Sequence, residues 1–268
     1  MRAALVQITS TDDPGANAEL VEERIVRAQA EGAELVVFPE ATMCAFGGRP
    51  LAEVAEPLDG PWARRVEAAA RRSGVTAVVG MFTPGEAGRV RNTLLVTGPD
   101  GTTSYDKLHL FDALGFAESD SVQAGDAVVT VDVGGTRVGL ATCYDIRFPD
   151  LFTALADRGA EVVVVPASWG AGPGKVEQWE LLARARALDS TSVVVAVGQA
   201  DPRARGGQAV GSAPTGVGRS LVVSPLGEVL HRLGAGEELR VVDVETGGVD
   251  AVRAALPVLA DRRRDLGG

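Results

Sequence analysis

Short runs of β-branched and apolar residues alternate along the chain with segments whose apolar positions recur at helical spacing. Arg2–Ile8 is a strand. Asp13-Pro14 opens a helix running to about Glu31, with Asp13 as N-cap, Pro14 in the first turn, and Leu20, Val21, Ile25 and Ala28 on one face. Glu34–Phe38 is a strand stopped by Pro39, and Pro61–Ser73 a helix stopped by Gly74. Val75–Phe82, Arg91–Thr97 and Thr102–Tyr105 are strands, the last two joined by the turn Gly98-Pro99-Asp100-Gly101. Strands follow at Val128–Val133 and Arg137–Thr142, a helix at Phe148–Asp157, a strand at Glu161–Val165, a helix at Val176–Asp189 and a strand at Ser192–Gly198. Asp201–Gly218 is Gly-rich and reads as a long loop, covering a pocket edge or simply lying on the surface. Strands at Arg219–Val223, Glu228–Arg232 and Leu239–Val244 precede a helix near Thr246–Ala255.

The pattern contains an internal echo. Glu31-Gly32-Ala33-Glu34-Leu35-Val36-Val37-Phe38-Pro39-Glu40-Ala41 resembles Arg158-Gly159-Ala160-Glu161-Val162-Val163-Val164-Val165-Pro166-Ala167-Ser168. Each copy follows a strand and a helix, which suggests two similar βαβ-like halves, each ending in a strand closed by proline. In open α/β sheets ligands sit beyond the carboxyl ends of strands, so the residues just past those ends are the ones to inspect.

Composition narrows the function classes. The chain has 268 residues with 26 Lys plus Arg against 36 Asp plus Glu, a net charge of −10. At roughly 150 residues per domain the length allows one large domain or two small ones. Acidic chains are poor polyanion binders, and the one basic run, Arg262-Arg263-Arg264, reads as a solvated tail or a subunit contact. Nucleic acid is therefore not an expected partner. The longest apolar runs, such as Val162 to Ala167, are far short of the roughly 20 residues of a spanning helix, and the first residues look like a strand rather than a signal peptide. Two cysteines make no disulfide scaffold, so a reducing cytoplasm is the expected compartment.

Three reactive side chains fall just past strand ends: Glu40, Lys107 and Cys143. Taken singly, a Glu there caps a helix or faces solvent, a Lys is a surface charge, and a Cys after an apolar strand fills the core. Together they suggest nucleophilic attack on an acyl carbon. A thiol of ordinary acidity is only a few per cent ionised at neutral pH. A strand-to-helix turn at Cys143 would bring helix N–H groups to the sulfur, Lys107 would favour the thiolate, and Glu40 could accept the proton. The oxyanion of a tetrahedral intermediate would find donors in the Lys107 ammonium and the Tyr144 backbone N–H. Losing one such donor costs on the order of 3 kcal/mol.

Other hydrolase schemes fit worse. The chain lacks Gly-x-Ser-x-Gly and His-Glu-x-x-His, and its two Cys and two His have no zinc-site spacing, so no metal is expected. Gly170–Lys175 resembles a phosphate loop only superficially, because Trp169 and Val176 stand where Gly and Ser or Thr belong. A Cys143–His109 dyad is conceivable, although His109 sits in a mixed segment that favours a structural role. Cys44 either lines the pocket or fills the core.

The motifs resemble the carbon–nitrogen hydrolases of the nitrilase superfamily. Val37-Phe38-Pro39-Glu40 looks like the family's glutamate motif, Tyr105-Asp106-Lys107-Leu108-His109-Leu110-Phe111 like its lysine motif, and Cys143-Tyr144-Asp145-Ile146-Arg147-Phe148-Pro149 like its cysteine motif. Gly115-Phe116-Ala117-Glu118-Ser119 is similar to an element carrying a second glutamate. Pro166-Ala167-Ser168-Trp169, Leu182–Ala187 and Ser220–Val229 also match. The resemblance implies a single domain over 1–268 with a four-layer αββα sandwich of the nitrilase type, frequent homodimerisation or higher assembly through helices near the site, and no cofactor. It implies Cys143 as nucleophile, Glu40 as general base and Lys107 as oxyanion stabiliser or proton donor. Glu118 would position the substrate amide or Lys107.

The words around Cys143 resemble the Nit-type amidases, which act on ω-amides of dicarboxylates or on deaminated glutathione. True nitrilases usually carry Trp-Glu where this chain has Tyr144-Asp145. The segment Asp112–Glu118 is shorter than in typical ω-amidases, which leaves the substrate open. The expected partner is a small amide, with Tyr144, Arg147 and Trp169 as substrate-binding candidates. Arg147 could pair with a substrate carboxylate, or with an acidic neighbour. An N-carbamoyl amidase, a nitrilase and a non-catalytic scaffold of the same fold are the alternatives.

Overall fold

A computed structural model describes residues 1–206 and 213–263. In chain order, strand β1 (Arg2–Gln7), helix α1 (Pro14–Ala30), β2 (Leu35–Val37), α2 (Leu51–Val54), α3 (Pro61–Ser73), β3 (Thr76–Pro84), β4 (Val90–Gly98) and β5 (Gly101–Asp106) form the first half. A two-stranded hairpin, β6 (Asp112–Ala113) and β7 (Phe116–Ala117), links it to β8 (Thr130–Val133), β9 (Thr136–Leu140), α4 (Pro149–Asp157), β10 (Val162–Ala167), α5 (Lys175–Ser190), β11 (Val193–Gly198), β12 (Leu221–Val223) and β13 (Val229–Arg232). The chain then returns through β14 (Glu238–Asp243) and ends in α6 (Val249–Ala255) and α7 (Val258–Asp261).

Local rules account for the helix ends. Asp13 accepts from the N–H groups of Gly15 at 2.8 Å and Ala16 at 3.3 Å, satisfying donors that the first turn of α1 leaves free. Gly74 ends α3 in the left-handed region at φ 66°, a conformation that favours glycine.

The two sheets are built alike. One runs β14-β1-β2-β3-β4-β5 and the other β8-β9-β10-β11-β12-β13. In each, the second to fourth strands are parallel and the outer neighbours antiparallel. The echo in the sequence therefore corresponds to β2 and β10 in equivalent places. One detail differs from the sequence reading. Pro39 lies beyond β2, but Pro166 lies inside β10, opposite Val197 of β11. Pairing with β9 has already stopped at Val164, so the proline interrupts no ladder on that side.

Three apolar clusters define the layers. The first packs Val21, Ile25, Trp62 and Val66 of α1 and α3 on Val36 and Val79. The second lies between the sheets and joins Leu5, Val37 and Leu94 to Leu140, Val164 and Val195. The third packs Phe152, Leu155, Trp179 and Ala183 of α4 and α5 on Val163 and Val194. The result is an αββα sandwich. No helix among the described residues is long and apolar enough to cross a membrane. Of the basic run, Arg262 is tied back to Asp157 of α4 at 2.6 Å rather than left as a solvated tail, and Arg264 lies outside the described residues. Residues 207–212 of the expected Asp201–Gly218 loop also lie outside them; the part before them holds a short 3-10 turn, Pro202–Arg205.

Gly80 of β3 lies directly under the segment that follows β2. A Cβ there would sit 2.7 Å from both the Pro39 carbonyl oxygen and the Ala41 nitrogen, and 2.8 Å from the Glu40 Cα. All three are backbone atoms and cannot swing aside. Gly80→Ala should lower stability by about 1–3 kcal/mol, as overpacking does, read as a lower Tm. It should also lower activity, because the displaced backbone carries Glu40. An unchanged Tm with full activity would contradict this packing.

Candidate active site

Glu40 lies three residues past the end of β2, directly after Pro39, which has no N–H to continue the ladder, and it is 1% exposed. Its Oε1 accepts from Asn92 Nδ2 at 2.7 Å and from Lys107 Nζ at 3.3 Å. Its Oε2 accepts from the Ser168 backbone N–H at 2.8 Å. Ser168 follows β10 as Glu40 follows β2, so the equivalent ends of the two sheets meet here. Gln199, just past β11, donates to the Glu40 carbonyl at 3.0 Å.

Lys107 follows β5 and is equally buried. Its ammonium donates to both oxygens of Glu118, at 3.0 and 2.8 Å. Glu118 comes directly after the β6–β7 hairpin and also accepts from the Phe111 N–H at 2.7 Å. Burial works against the charge on Lys107, but the Glu40 and Glu118 carboxylates overcome it and hold the ammonium above its ordinary pKa. Of the two expectations for Glu118, the geometry fits that of positioning Lys107.

Cys143 adopts φ 47°, a left-handed conformation that is strained for a residue with a side chain. It does not stand at the mouth of α4 as the sequence pattern suggested. It begins a one-turn 3-10 helix, Cys143–Arg147, and α4 starts only at Pro149. Its thiol meets the Glu40 carboxylate, and its sulfur lies 3.9 Å from the Ser168 carbonyl oxygen. Burial pushes the thiol pKa well above its ordinary value, the Glu40 charge adds to this, and Lys107 offsets only part of it. The expected lysine-stabilised thiolate is thus reversed. Two carboxylates and one ammonium leave the cluster with a net negative charge, which disfavours a third anion.

Asp145 and Asn92 have central places that motif reading alone did not assign. Asp145 is fully buried. It accepts from the Tyr105 hydroxyl at 2.6 Å, the His109 N–H at 2.9 Å and the Thr142 N–H at 2.8 Å, with His109 Nδ1 at 2.7 Å. One carboxylate therefore clamps the residues on either side of Lys107 to the residue before Cys143. His109 stacks on Phe148 at 3.7 Å between ring centres, which is the structural role rather than a dyad. Asn92, in β4, gives Nδ2 to Glu40 and lies 3.5 Å from Glu118 Oε1, while its own Oδ1 is buried without a partner. An unpartnered buried acceptor costs about 1–3 kcal/mol. The opposite flip would turn the oxygen toward two carboxylates.

Tyr144, Arg147 and Trp169 lie close to one another. Tyr144 packs edge-on against Phe111 and Phe148. The Arg147 guanidinium lies 5.2 Å from the Trp169 ring and 6.0 Å from that of Tyr144, and donates to Gln178 at 2.9 Å. Lys175 approaches the same indole at 5.8 Å. Among the described residues no carboxylate pairs with Arg147, which removes its acidic-neighbour reading. Cys44 is buried in a separate apolar cluster with Phe82 and Val90 and fills the core. Among the described residues no group of three or more His, Cys, Asp or Glu could hold a metal ion.

Comparison with known proteins identifies the family. A family model described as carbon-nitrogen hydrolase matches residues 2–254. The hydrolase Rv0480c of Mycobacterium tuberculosis is 55% identical over 269 residues, covering 98% of this chain and 95% of its own. The Omega-amidase NIT2 of Homo sapiens is 34% identical over 272 residues, covering 99% and 96%. A solved structure of a mutant amidase from Nesterenkonia sp. AN1, showing Michael addition of acrylamide at its active-site cysteine, superposes with a TM-score of 0.79. It is 27% identical and covers 96% of this chain and 98% of its own.

The thiol environment yields a measurable sign. The ultraviolet thiolate signal of Cys143, taken as the difference from Cys143→Ser, should titrate above the free-cysteine value of about 8.5. Glu118→Gln removes one negative charge and should move the midpoint downward. A wild-type midpoint at or below neutrality would contradict the net-negative site.

Proposed function

The chain belongs to the carbon–nitrogen hydrolase family and is a thiol amidase, and we propose that it converts small carboxylate-bearing amides to acid plus ammonia through a thioester on Cys143. The observation that carries this reading is the Cys143 thiol meeting a buried Glu40 that already shares Lys107 with Glu118. Because the resting thiol is neutral, proton removal accompanies attack. Glu40 takes the thiol proton as the sulfur bonds to the amide carbon, and the carbonyl oxygen becomes the oxyanion. The Lys107 ammonium and the Tyr144 N–H are its donors. Collapse re-forms the carbonyl and breaks the C–N bond, while the proton held by Glu40 passes to the leaving nitrogen as ammonia departs. Glu40 then deprotonates a water that attacks the thioester, and the sulfur leaves with that proton as the thiol.

Arg147 supports the substrate class. It lies four residues from the nucleophile, its guanidinium is braced by Trp169 and Gln178, and no protein carboxylate among the described residues neutralises it. A planar guanidinium binds a carboxylate with two parallel hydrogen bonds, which would orient the distal end of an ω-amide.

Three further readings accompany this one. The core between the sheets takes residues from both halves, which supports a single domain over 1–268. Leu181 and Leu188 on α5 are 64% and 43% exposed, and Leu226 is 60% exposed, which supports a homodimer through this side. Cys44 and Cys143 are both free thiols, which supports a cytoplasmic location.

Ammonia release should be screened over ω-amides, neutral amides, carbamoyl compounds and nitriles, and ω-amides should be the best substrates. Cys143→Ala should abolish turnover. Glu40→Gln and Lys107→Ala should each lower it at least about 100-fold. Arg147→Gln should raise KM about 10- to 100-fold for carboxylate-bearing amides and leave neutral amides unchanged. Equal effects on both classes would remove Arg147 as the carboxylate site, and preferred hydrolysis of nitriles or carbamoyl compounds would replace the substrate class. Light scattering should report a dimer that Leu181→Glu converts to monomer; a monomeric wild type would overturn the assembly.

A further inference from the structure

We propose that Asn92 is the positioning residue for the general base: its side-chain amide, rather than Lys107, sets the orientation of Glu40 and leaves the ammonium available to the reaction. This rests on the reading of Glu40 as the base. Among the donors to Glu40 Oε1, Asn92 Nδ2 is the nearer at 2.7 Å, while Lys107 Nζ stands off at 3.3 Å and is drawn instead to both oxygens of Glu118. The other oxygen of Glu40 is held by the Ser168 N–H. Two neutral donors, one per oxygen, thus fix the plane of the carboxylate. Neither can pass a proton to it. A base held mainly by an ammonium would be misaligned whenever that ammonium turned toward a developing oxyanion.

Asn92 is well placed to hold this position independently of substrate. It is fully buried in β4, paired in register with Phe82 of β3, and its carbonyl accepts the Lys107 N–H at 2.9 Å. The same residue therefore fixes the backbone of the lysine and the side chain of the glutamate. Its orientation is forced: Glu40 and Glu118 both present oxygens to Nδ2, at 2.7 and 3.5 Å, and the arrangement persists although Oδ1 has no partner. The charged and titratable groups facing Glu40 are Lys107, Glu118 behind it, and the Cys143 thiol. Among the described residues, Asn92 is the side-chain amide that donates to this carboxylate. Removing that donation leaves the ionised carboxylate less well stabilised beside a second carboxylate, so ionisation should then require higher pH.

The test compares Asn92→Leu, which keeps the approximate volume without the donor, and Asn92→Ala, which cannot overpack, with wild type and Glu40→Gln. Ammonia release from the best amide of the panel is followed across pH, with circular dichroism as the folding control. Either folded Asn92 variant should lose about 10- to 100-fold in kcat, the loss expected for a hydrogen bond to a charged group. KM should stay within about threefold, since substrate binding does not use this contact. The acid limb of kcat/KM should move upward by about one pH unit. A variant with wild-type kcat and an unmoved acid limb overturns the proposal. So does a loss of kcat with the acid limb in place, which would mark a structural role only. An active Glu40→Gln enzyme overturns the general-base premise itself, a result separable from both.

Discussion

Burying an ammonium is tolerable only where anions meet it, and in this protein that constraint organises the site. Lys107 is almost fully enclosed, and an unpaired charge in that position would be strongly destabilising. Glu118 answers it with both oxygens and Glu40 with one. Two carboxylates around one ammonium then create the opposite problem, an excess of negative charge, and the neighbouring groups respond to it. The Ser168 N–H, the Phe111 N–H and the Asn92 amide are all donors aimed at the carboxylates. Burial and the Glu40 charge likewise favour the protonated form of the Cys143 thiol.

The architecture supplies these partners because two equivalent sheets face each other with their strand ends aligned. Glu40 comes from the end of β2, Ser168 from the equivalent end of β10 and Gln199 from that of β11, so each sheet finishes the hydrogen bonding of the other. Asp145 does the same between segments rather than sheets. It fixes Tyr105 and His109 around Lys107 and Thr142 before Cys143, so the distance between ammonium and sulfur is set by one buried carboxylate. Gly80 completes the arrangement by letting β3 approach the Glu40 backbone more closely than a Cβ would permit.

Much of this was legible from the chain, and the unread parts share a cause. Helix Pro61–Ser73 agrees residue for residue, because Pro61 and Gly74 are local punctuation. The order of strands and the residues past their ends also follow from period-two runs closed by proline and glycine. The hairpin Asp112–Ala117, α2 and α7 escaped because two-residue strands and single turns carry no periodicity. Asn92 sits within Val90–Gly98, and its signal was a fully amide-bearing residue at a buried strand position, which composition-level reading passes over. The acidity of Cys143 came out with the wrong sign for a different reason: pairing the sulfur with one lysine neglected the burial of the thiol and the charge of Glu40 beside it, neither of which strand-end positions alone disclose.

A proton-bearing resting thiol is a coherent choice for amide hydrolysis. The tetrahedral intermediate can expel either the sulfur or the nitrogen, and a thiolate leaves faster the lower the pKa of its thiol. A strongly activated thiolate, favoured by an unshared lysine, would attack readily but would also return readily to substrate. Raising the thiol pKa by burial and by the Glu40 charge makes sulfur the poorer leaving group. In the proposed mechanism the proton taken from that thiol is meanwhile held on Glu40, where it can be delivered to the nitrogen. The same burial and negative surplus that disfavour the thiolate at rest thus bias the intermediate toward ammonia, provided the base that carries the proton is held still by donors other than the ammonium.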